Sequence, residues 1–184
     1  MSWKFAGIIF KKDYGAACPE LLGRLGVEYS RSTGGYTFAE AVSRANRATA
    51  LGVVNGQTML LDHLLPYDCA YELGKEGRLD ELLRPLSVEG DDILNYIVDG
   101  VSGTYCFSCF SQGQRIRRWA TEPGNVWCDE GKPVAGEAPL DEALAPIFAA
   151  STDEAHLLAV WAAFSGISFQ ELVHNDSPLF YFFM

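Results

Sequence analysis

Residues 93–134 read ILNYIVDGVSGTYCFSCFSQGQRIRRWATEPGNVWCDEGKPV, a run of apolar and aromatic segments separated by short gaps that contain glycine. Gaps this short join neighbouring antiparallel strands, because parallel strands need a crossover of a dozen or more residues. The stretch therefore predicts an antiparallel meander. Its strands are predicted at Ile93–Val98, Thr104–Ser111 and Arg115–Thr121, with a fourth that begins at Val126–Cys128.

A hairpin, one strand near the start of the sequence and one strand near its end extend this sheet. Leu51–Val54 and Thr58–Leu61 flank an Asn-Gly dipeptide at 55–56, and these two residues tolerate the positive φ angles that a type I′ turn requires. Trp3–Phe10 predicts a first strand. Leu179–Met184 predicts a last strand that is apolar on both faces, so we expect it to be covered and joined to the sheet.

Helices are indicated by capping boxes, in which a Ser or Thr hydroxyl accepts from the third helical N–H while a Glu three residues later reaches back. The chain has three such boxes, at Thr37–Glu40, Ser151–Glu154 and Ser168–Glu171. The helix after the second box carries Trp161 on an apolar stripe, so we expect this side chain to be buried. Further helices are predicted at Pro19–Leu25, Cys69–Lys75, Leu79–Leu83 (stopped at Pro85) and Pro139–Ala149, and Arg31–Gly35 is predicted to be polar and flexible.

Together these elements predict an α+β fold. We expect a mainly antiparallel sheet, made of the meander at 93–134 and the hairpin at 51–61, with helices packed on one face or at one end. The length of 184 residues predicts a single domain over 1–184. With 11 Phe, 8 Tyr and 4 Trp, the chain can fill a sizeable core, which excludes disorder for most of its length.

The net charge of −10 argues against nucleic acid as a partner, since a phosphate backbone requires a basic face. Solubility is the simplest explanation of an acidic balance, and a basic partner protein is the more specific one. The first ten residues lack the apolar core of a signal peptide. No run approaches the roughly 20 apolar residues of a membrane span, so the sequence predicts a cytoplasmic protein without membrane contact.

The five cysteines are odd in number and irregular in spacing, which predicts reduced thiols. Cys106 and Cys109 have the spacing of redox and zinc pairs, but residues three apart on a strand point to opposite faces of the sheet. No second pair with ligand spacing completes a zinc site. We therefore expect ordinary buried cysteines, with no metal and no cofactor.

No motif assigns a catalytic residue to this chain. G-x-S-x-G and the glycine-rich nucleotide-binding loops are absent from the sequence. His63 and His174 are predicted at the solvated ends of a strand and a helix. His156 falls in the first turn of a predicted helix, where Asp153 or Glu154 is its expected partner.

Acidic residues cluster in segments beside Gly and Pro, where exposed loops are expected. Solvated loops account for such clusters without any function, and a negatively charged binding surface is the functional alternative. The candidate partner-binding residues are Glu89, Asp91, Asp92, Asp129 and Glu130.

Three stretches together carry a resemblance. They are GVVNGQT at 52–58 leading to Asp62, SGTY at 102–105, and the run from Gly113 through RRW at 117–119 to DEGKP at 129–133. They resemble small uncharacterised bacterial proteins, some of which look like immunity proteins of contact-dependent or polymorphic toxin systems. The resemblance covers residues 50–137 and implies a non-enzymatic α+β protein of bacterial origin, with no catalytic residue to transfer.

Three functions stay open on these grounds. The first is a protein-binding module, with an immunity-like role against a basic toxin as its most specific form. The second is a small enzyme whose pocket is assembled from scattered residues, and the third is a housekeeping protein with no ligand. A concave pocket with converging polar groups would favour the enzyme, and a flat acidic or apolar patch would favour the binder. The sequence leaves the partner's identity and the oligomeric state open.

Overall fold

The computed structural model describes residues 3–44, 48–62, 64–66, 77–88, 91–137, 152–177 and 179–183. The helices predicted at 69–75 and 139–149 lie outside the described residues, as do His63, Cys69, Glu89 and Ser151, the first residue of the second predicted capping box. The described strands are β1 (Lys4–Phe10), β2 (Ser32–Tyr36), β3 (Thr49–Val54), β4 (Gln57–Leu61), β5 (Ile93–Asp99), β6 (Thr104–Ser111), β7 (Gln114–Glu122), β8 (Asn125–Gly131) and β9 (Phe180–Phe183).

All nine of these strands belong to one sheet, in the order β2-β9-β3-β4-β1-β5-β6-β7-β8. Each strand is antiparallel to its neighbours. The predicted antiparallel sheet is therefore confirmed. Among the described strands, β2 and β8 are the two edge strands of the sheet, which we call its terminal strands.

The meander and the hairpin follow the turn residues in the sequence. β5, β6, β7 and β8 are consecutive neighbours in the sheet, and β8 ends at Gly131, before the predicted limit at Val134. In the turn between β3 and β4, Asn55 and Gly56 have φ angles of 51° and 71°. These are the left-handed values that a type I′ turn demands, so the predicted hairpin is confirmed.

The last strand is inserted into the sheet, as its apolar sequence predicts. β9 lies between β2 and β3 and pairs with both. Phe180 and Phe182 are buried on one side of β9, while Tyr181 on the other side is exposed. The C-terminal segment is thus an interior strand at the β2 end of the sheet.

Helices cover both faces of the sheet, so the prediction that they pack on one face or at one end is wrong. The described helices are α1 (Cys18–Arg24), α2 (Phe38–Arg44), α3 (Arg78–Val88), α4 (Thr152–Ser165) and α5 (Phe169–Val173). Phe5 and Ile9 of β1 belong to a core with α2, α4 and α5, and we call this side of the sheet the front face. Ile8 and Phe10 belong to a core with α1 and α3, and we call this side the back face. Because β1 is buried on both sides, it needs a cover on each.

Two local predictions are also wrong. The helix α3 does not stop at Pro85 but continues to Val88, because its buried leucines pack on the back face and this packing outweighs the lost hydrogen bond. Residues 32–36 form β2, not a flexible segment, because β9 supplies a strand for them to pair with.

Other helix signals are confirmed. The Thr37 N–H donates to Glu40 Oε2 at 2.9 Å, and the Glu40 N–H donates to Thr37 Oγ1 at 3.3 Å. The Ser168 and Glu171 capping box is also formed. Trp161 is fully buried. Among the described helices, none is long and apolar enough to cross a membrane.

Candidate partner-binding surface

The five predicted partner-binding acids do not form one surface. Glu89 lies outside the described residues, and Asp91 is fully buried. Asp92 is exposed. Asp129 and Glu130 are also exposed, but they lie in the terminal strand β8 and not in a loop.

The expectation that Asp91 is an exposed loop acid is wrong. Its Oδ1 accepts a hydrogen bond from the backbone N–H of Lys12 at 2.9 Å, so the carboxylate fixes the end of β1 to the start of β5. Burial raises the pKa of Asp91, and hydrogen bonds, first among them the one from Lys12, act against that rise. This carboxylate has no surface on which to meet a partner.

β8 presents most of its side chains to solvent. β7 is its one neighbour among the described strands, so the other backbone edge of β8 is unpaired there. The side chains of Asp129 and Glu130 are 64% and 54% exposed, and Val126 is 54% exposed.

Asp129 lies opposite Trp119 and Glu130 opposite Arg118. Trp119 belongs to the front core, so Asp129 projects on the front side and Glu130 on the back.

On the back face, Arg115 of β7 lies between two carboxylates. Its Nη1 forms an ion pair with Asp80 of α3, whose side chain is only 1% exposed. Its Nη2 lies 3.4 Å from Glu130 Oε2. Arg115 thus links the helix α3 to the terminal pair of strands.

On the front face, Arg117 has a corresponding arrangement. Its Nε donates to both carboxylate oxygens of Glu137, at 3.0 and 2.9 Å, and its Nη2 donates to Oε1 at 2.7 Å. Its Nη1 donates to Asp129 Oδ1 at 2.5 Å and to the Glu130 carbonyl at 3.0 Å. The hydrogen bonds to Glu137, and then those to Asp129, raise the pKa of Arg117. Its guanidinium is therefore charged throughout the physiological range.

Glu137 is the buried partner in this arrangement, with a side chain 2% exposed. Burial would raise its pKa, but the hydrogen bonds from Arg117 and from the Val134 N–H, the latter at 2.6 Å, lower it overall. The carboxylate is thus ionised and held in place. It fastens residues 134–137 to the front of β7.

The two arginines and the four carboxylates that they contact form a group that we call the β7–β8 charge cluster. Its members are Arg115, Arg117, Asp80, Asp129, Glu130 and Glu137.

The cluster carries excess negative charge at its surface. Each arginine contacts one buried carboxylate, which matches its charge, and one exposed carboxylate. Arg118 of β7 lies directly opposite Glu130, so three guanidinium groups stand against the four carboxylates and the formal excess is one negative charge. Because the buried carboxylates are closest to full desolvation, they hold the arginines most firmly. Asp129 and Glu130 therefore supply the charge that an incoming molecule meets.

The sequence does not reveal this arrangement. Arg115, Arg117 and Arg118 form a basic cluster in the chain, but Arg117 and Arg118 are buried and Arg115 is largely so. Glu137 stands among acids that the sequence places in exposed loops. Residues two apart on a regular strand share a face, so the spacing of Arg115 and Arg117 predicts that both lie on the same side of the sheet. The register shift between β6 and β7 pairs them with the consecutive residues Phe110 and Cys109, which places the two arginines on opposite faces.

His156 is the nearest feature to an acid–base site. Its ring packs on Trp119 with centroids 4.7 Å apart, and its Nε2 lies 3.5 Å from Glu137 Oε1. The expected pairing with Asp153 or Glu154 is replaced by this contact, because α4 lays its first turn against the front of β7. Glu137 already receives Arg117, so it is poorly suited to accept a proton.

The cysteines are placed as the strand geometry predicts. Cys109 belongs to the front core and Cys106 to a separate cluster on the back, so their sulfurs face opposite ways. Burial raises the pKa of each thiol to about 12. Burial also raises the pKa of Cys18 and of Cys128. The described thiols are thus protonated at neutral pH and are weak nucleophiles.

Two concavities are lined by residues that do not belong to the β7–β8 charge cluster. An open groove of about 570 Å³ lies over β3 and β9 on the back face, lined mainly by apolar side chains such as Leu51, Val53 and Phe183. A smaller pocket of about 280 Å³ is lined by apolar residues of α4 together with Lys11 and Asp92. Asp92 is therefore separate from Asp129 and Glu130, three strands away across the sheet.

Comparison of the chain with protein-family models, with curated proteins and with solved structures finds no match.

Proposed function

We propose that this protein is a non-enzymatic binding module for a basic protein, and that β8 with its two exposed carboxylates is the contact surface. An immunity-like role, in which the bound protein is a toxin that is thereby neutralised, is the biological setting we propose. The observation that carries the proposal is the excess negative charge of Asp129 and Glu130 at the terminal strand.

The charge of the whole chain supports this choice of partner. A net charge of −10 attracts a basic protein over about a Debye length, about 8 Å at physiological ionic strength, and repels nucleic acid. The cluster of three arginines offers little basic surface, because Arg117 and Arg118 are buried. A phosphate backbone would therefore find no basic face there.

The enzyme alternative has its best support at His156, which lies beside Glu137. Against it, the Glu137 carboxylate is bound by Arg117 and its pKa is lowered, and the larger groove is lined mainly by apolar groups. The described thiols are held protonated. The smaller pocket has Lys11, Asp92 and Cys109 in its lining, but burial raises the pKa of the Cys109 thiol, so this thiol is a poor nucleophile.

The proposal is tested by isolating a partner and measuring how fast it binds. Affinity capture at low salt, followed by mass spectrometry, identifies the partner, which is then purified. The double variant Asp129→Lys/Glu130→Lys should slow association by about tenfold at low salt, because these charges steer the encounter. The effect should shrink near 1 M salt, where the Debye length is about 3 Å.

A matched control is the reversal of two exposed acids elsewhere, Glu20→Lys/Glu28→Lys, which changes the net charge equally. This control should slow association less than the β8 variant. The single variant Asp92→Lys tests the remaining exposed candidate at its separate pocket. An association rate that is the same for wild type and the β8 variant at every salt concentration would reject the β8 surface. Protection of cells from the partner's toxicity by co-expression tests the immunity-like role.

A further inference from the structure

The two terminal strands of the sheet differ in how they are protected. β2 has five residues and is interrupted by a β-bulge between Gly34 and Tyr36. Its Gly34 lies against the ring of Tyr181, where no side chain would fit. β8 has seven residues, and its irregularity lies near the turn, where the pairing with β7 shifts between Ala120 and Thr121. The stretch from Cys128 to Glu130 is therefore the regular part of this edge, and Gly131, whose φ angle is 87°, ends it.

A regular, exposed edge presents backbone N–H and C=O groups that another strand can pair with. Among the described residues nothing pairs with the outer edge of β8. Charged side chains on such an edge protect it from uncharged strands. They also disfavour a second copy of this chain, which would bring the same acidic strand and a net charge of −10. The strand that fits is one of opposite charge.

We propose that β8 binds an extended basic segment of its partner by strand addition, so that the segment extends the described sheet beyond β8. The inference rests on the proposed function and specifies how the partner is held. Backbone hydrogen bonds along β8 hold the segment, and the side chains of Asp129 and Glu130 select its charge.

The placement of the two acids defines the sequence of the segment. Asp129 and Glu130 are consecutive and project on opposite faces of the sheet. Directly opposed residues of neighbouring strands share a face, with Cβ atoms about 4.5–5.5 Å apart. The segment must therefore carry two adjacent basic residues, one for each face. Two basic residues separated by one position would both fall on the same face and would meet only one of the acids.

The test uses a synthetic peptide of seven residues, built from valine and threonine with two adjacent lysines at its centre and with both ends blocked. Its binding to the full chain is measured by fluorescence anisotropy at low salt. We expect this peptide to bind. We expect an isomer with one residue between the two lysines to bind about two- to fivefold more weakly, the effect of one exposed ion pair. The variant Asp129→Asn/Glu130→Gln should weaken binding of the parent peptide by a similar factor for each acid. The control variant Glu20→Gln/Glu28→Gln should bind the parent peptide with unchanged affinity.

Backbone pairing is tested with two N-methylated forms of the peptide, modified at alternate residues in opposite phase. A strand pairs through every second residue on a given edge, so one form should lose at least tenfold in affinity and the other should bind like the parent. Equal binding of both forms would overturn strand addition and leave a charge-only contact, with the proposed function intact. Failure of the parent peptide to bind at millimolar concentration would also overturn it. If the peptide binds as expected but the charge reversal on β8 leaves the association rate of the natural partner unchanged, the proposed function is wrong and the strand-addition site is retained.

Discussion

The two ends of the sheet are held together by different forces. At the β2 end, the last strand is inserted between two others by aromatic packing: Phe180 lies 5.7 Å from Phe38 and Phe182 lies 4.8 Å from Tyr36, measured between ring centroids. At the β8 end, Arg115 and Arg117 are each fixed between two carboxylates. The first end is closed by apolar burial, which salt and pH affect little. The second end is stabilised by ion pairs, and two of their carboxylates, those of Asp129 and Glu130, are exposed at the surface.

This difference indicates where a function can reside without loss of stability. Apolar side chains in a close-packed core cannot contact a partner as well, because their surfaces are already in contact with other core residues. Exposed carboxylates around a buried ion pair contribute little to stability and can be used for binding. The predictions below test this division, beginning with the largest expected effect.

Removing an aromatic ring from the β2 end should have the largest effect. Phe180→Ala should lower the free energy of unfolding by about 3–5 kcal/mol, because Phe180 is fully buried and its loss leaves a cavity. Urea denaturation measures this change. The matched control is the neighbouring Tyr181→Ala, whose side chain is exposed and whose removal should cost under about 1 kcal/mol. Equal losses for the two variants would contradict the packing described for β9.

At the β8 end, Arg117→Met should cost about 3 kcal/mol, because it leaves the buried Glu137 carboxylate without its partner. The double variant Arg117→Met/Glu137→Leu should recover most of the loss, since it removes both charges together. A double-mutant cycle by urea denaturation measures the coupling. A double variant as unstable as the single one would show that packing, and not the unpaired charge, causes the loss.

Two buried carboxylates should respond oppositely to pH. The pKa of Glu137 is lowered from 4.5, so its ionised form stabilises the fold above that value, and the contribution is lost as pH falls through the lower, folded pKa. The pKa of Asp91 is raised from 3.8, so the folded state binds this proton more tightly. Its stabilising contribution is present below 3.8 and is lost as pH rises through the higher, folded pKa.

Urea denaturation of Glu137→Gln and Asp91→Asn between about pH 3 and pH 7 separates the two effects. Relative to wild type, Glu137→Gln should be most destabilised at neutral pH and least at acid pH. Asp91→Asn should show the opposite trend: its free energy of unfolding, relative to that of wild type, should increase as the pH rises. Parallel trends in the two variants would contradict the opposite pKa shifts.

The smallest effects on stability are expected at the exposed acids themselves. Asp129→Asn and Glu130→Gln should each change the free energy of unfolding by no more than about 0.5 kcal/mol, because exposed ion pairs contribute little. The measurement is again urea denaturation, with Glu137→Gln as the buried counterpart. A loss above about 1 kcal/mol at either exposed acid would place it in the structural framework and remove it from the binding surface.

Local signals in the sequence predicted much of the fold and little of the site. The hairpin at 55–56 and the Thr37 and Ser168 caps depend on neighbouring residues alone, so they were predictable. The strand β2 was missed because its sequence, STGGY, has weak strand character and forms only against β9. Asp91 was misplaced because its partner, the Lys12 N–H, is distant in sequence.

The amino-acid sequence is sufficient to predict an antiparallel sheet with a four-strand meander, a type I′ hairpin, a last strand joined to the sheet and an excess of acidic residues. These follow from turn chemistry and from the period of apolar residues, which act over a few positions. Three features become visible only in the folded chain: helices cover both faces of the sheet, Asp91 is buried, and β8 is a terminal strand whose Asp129 and Glu130 form ion pairs with arginines of β7. Strand order and burial depend on contacts between residues far apart in the chain, and the charge that remains exposed depends on which carboxylates the fold has already paired.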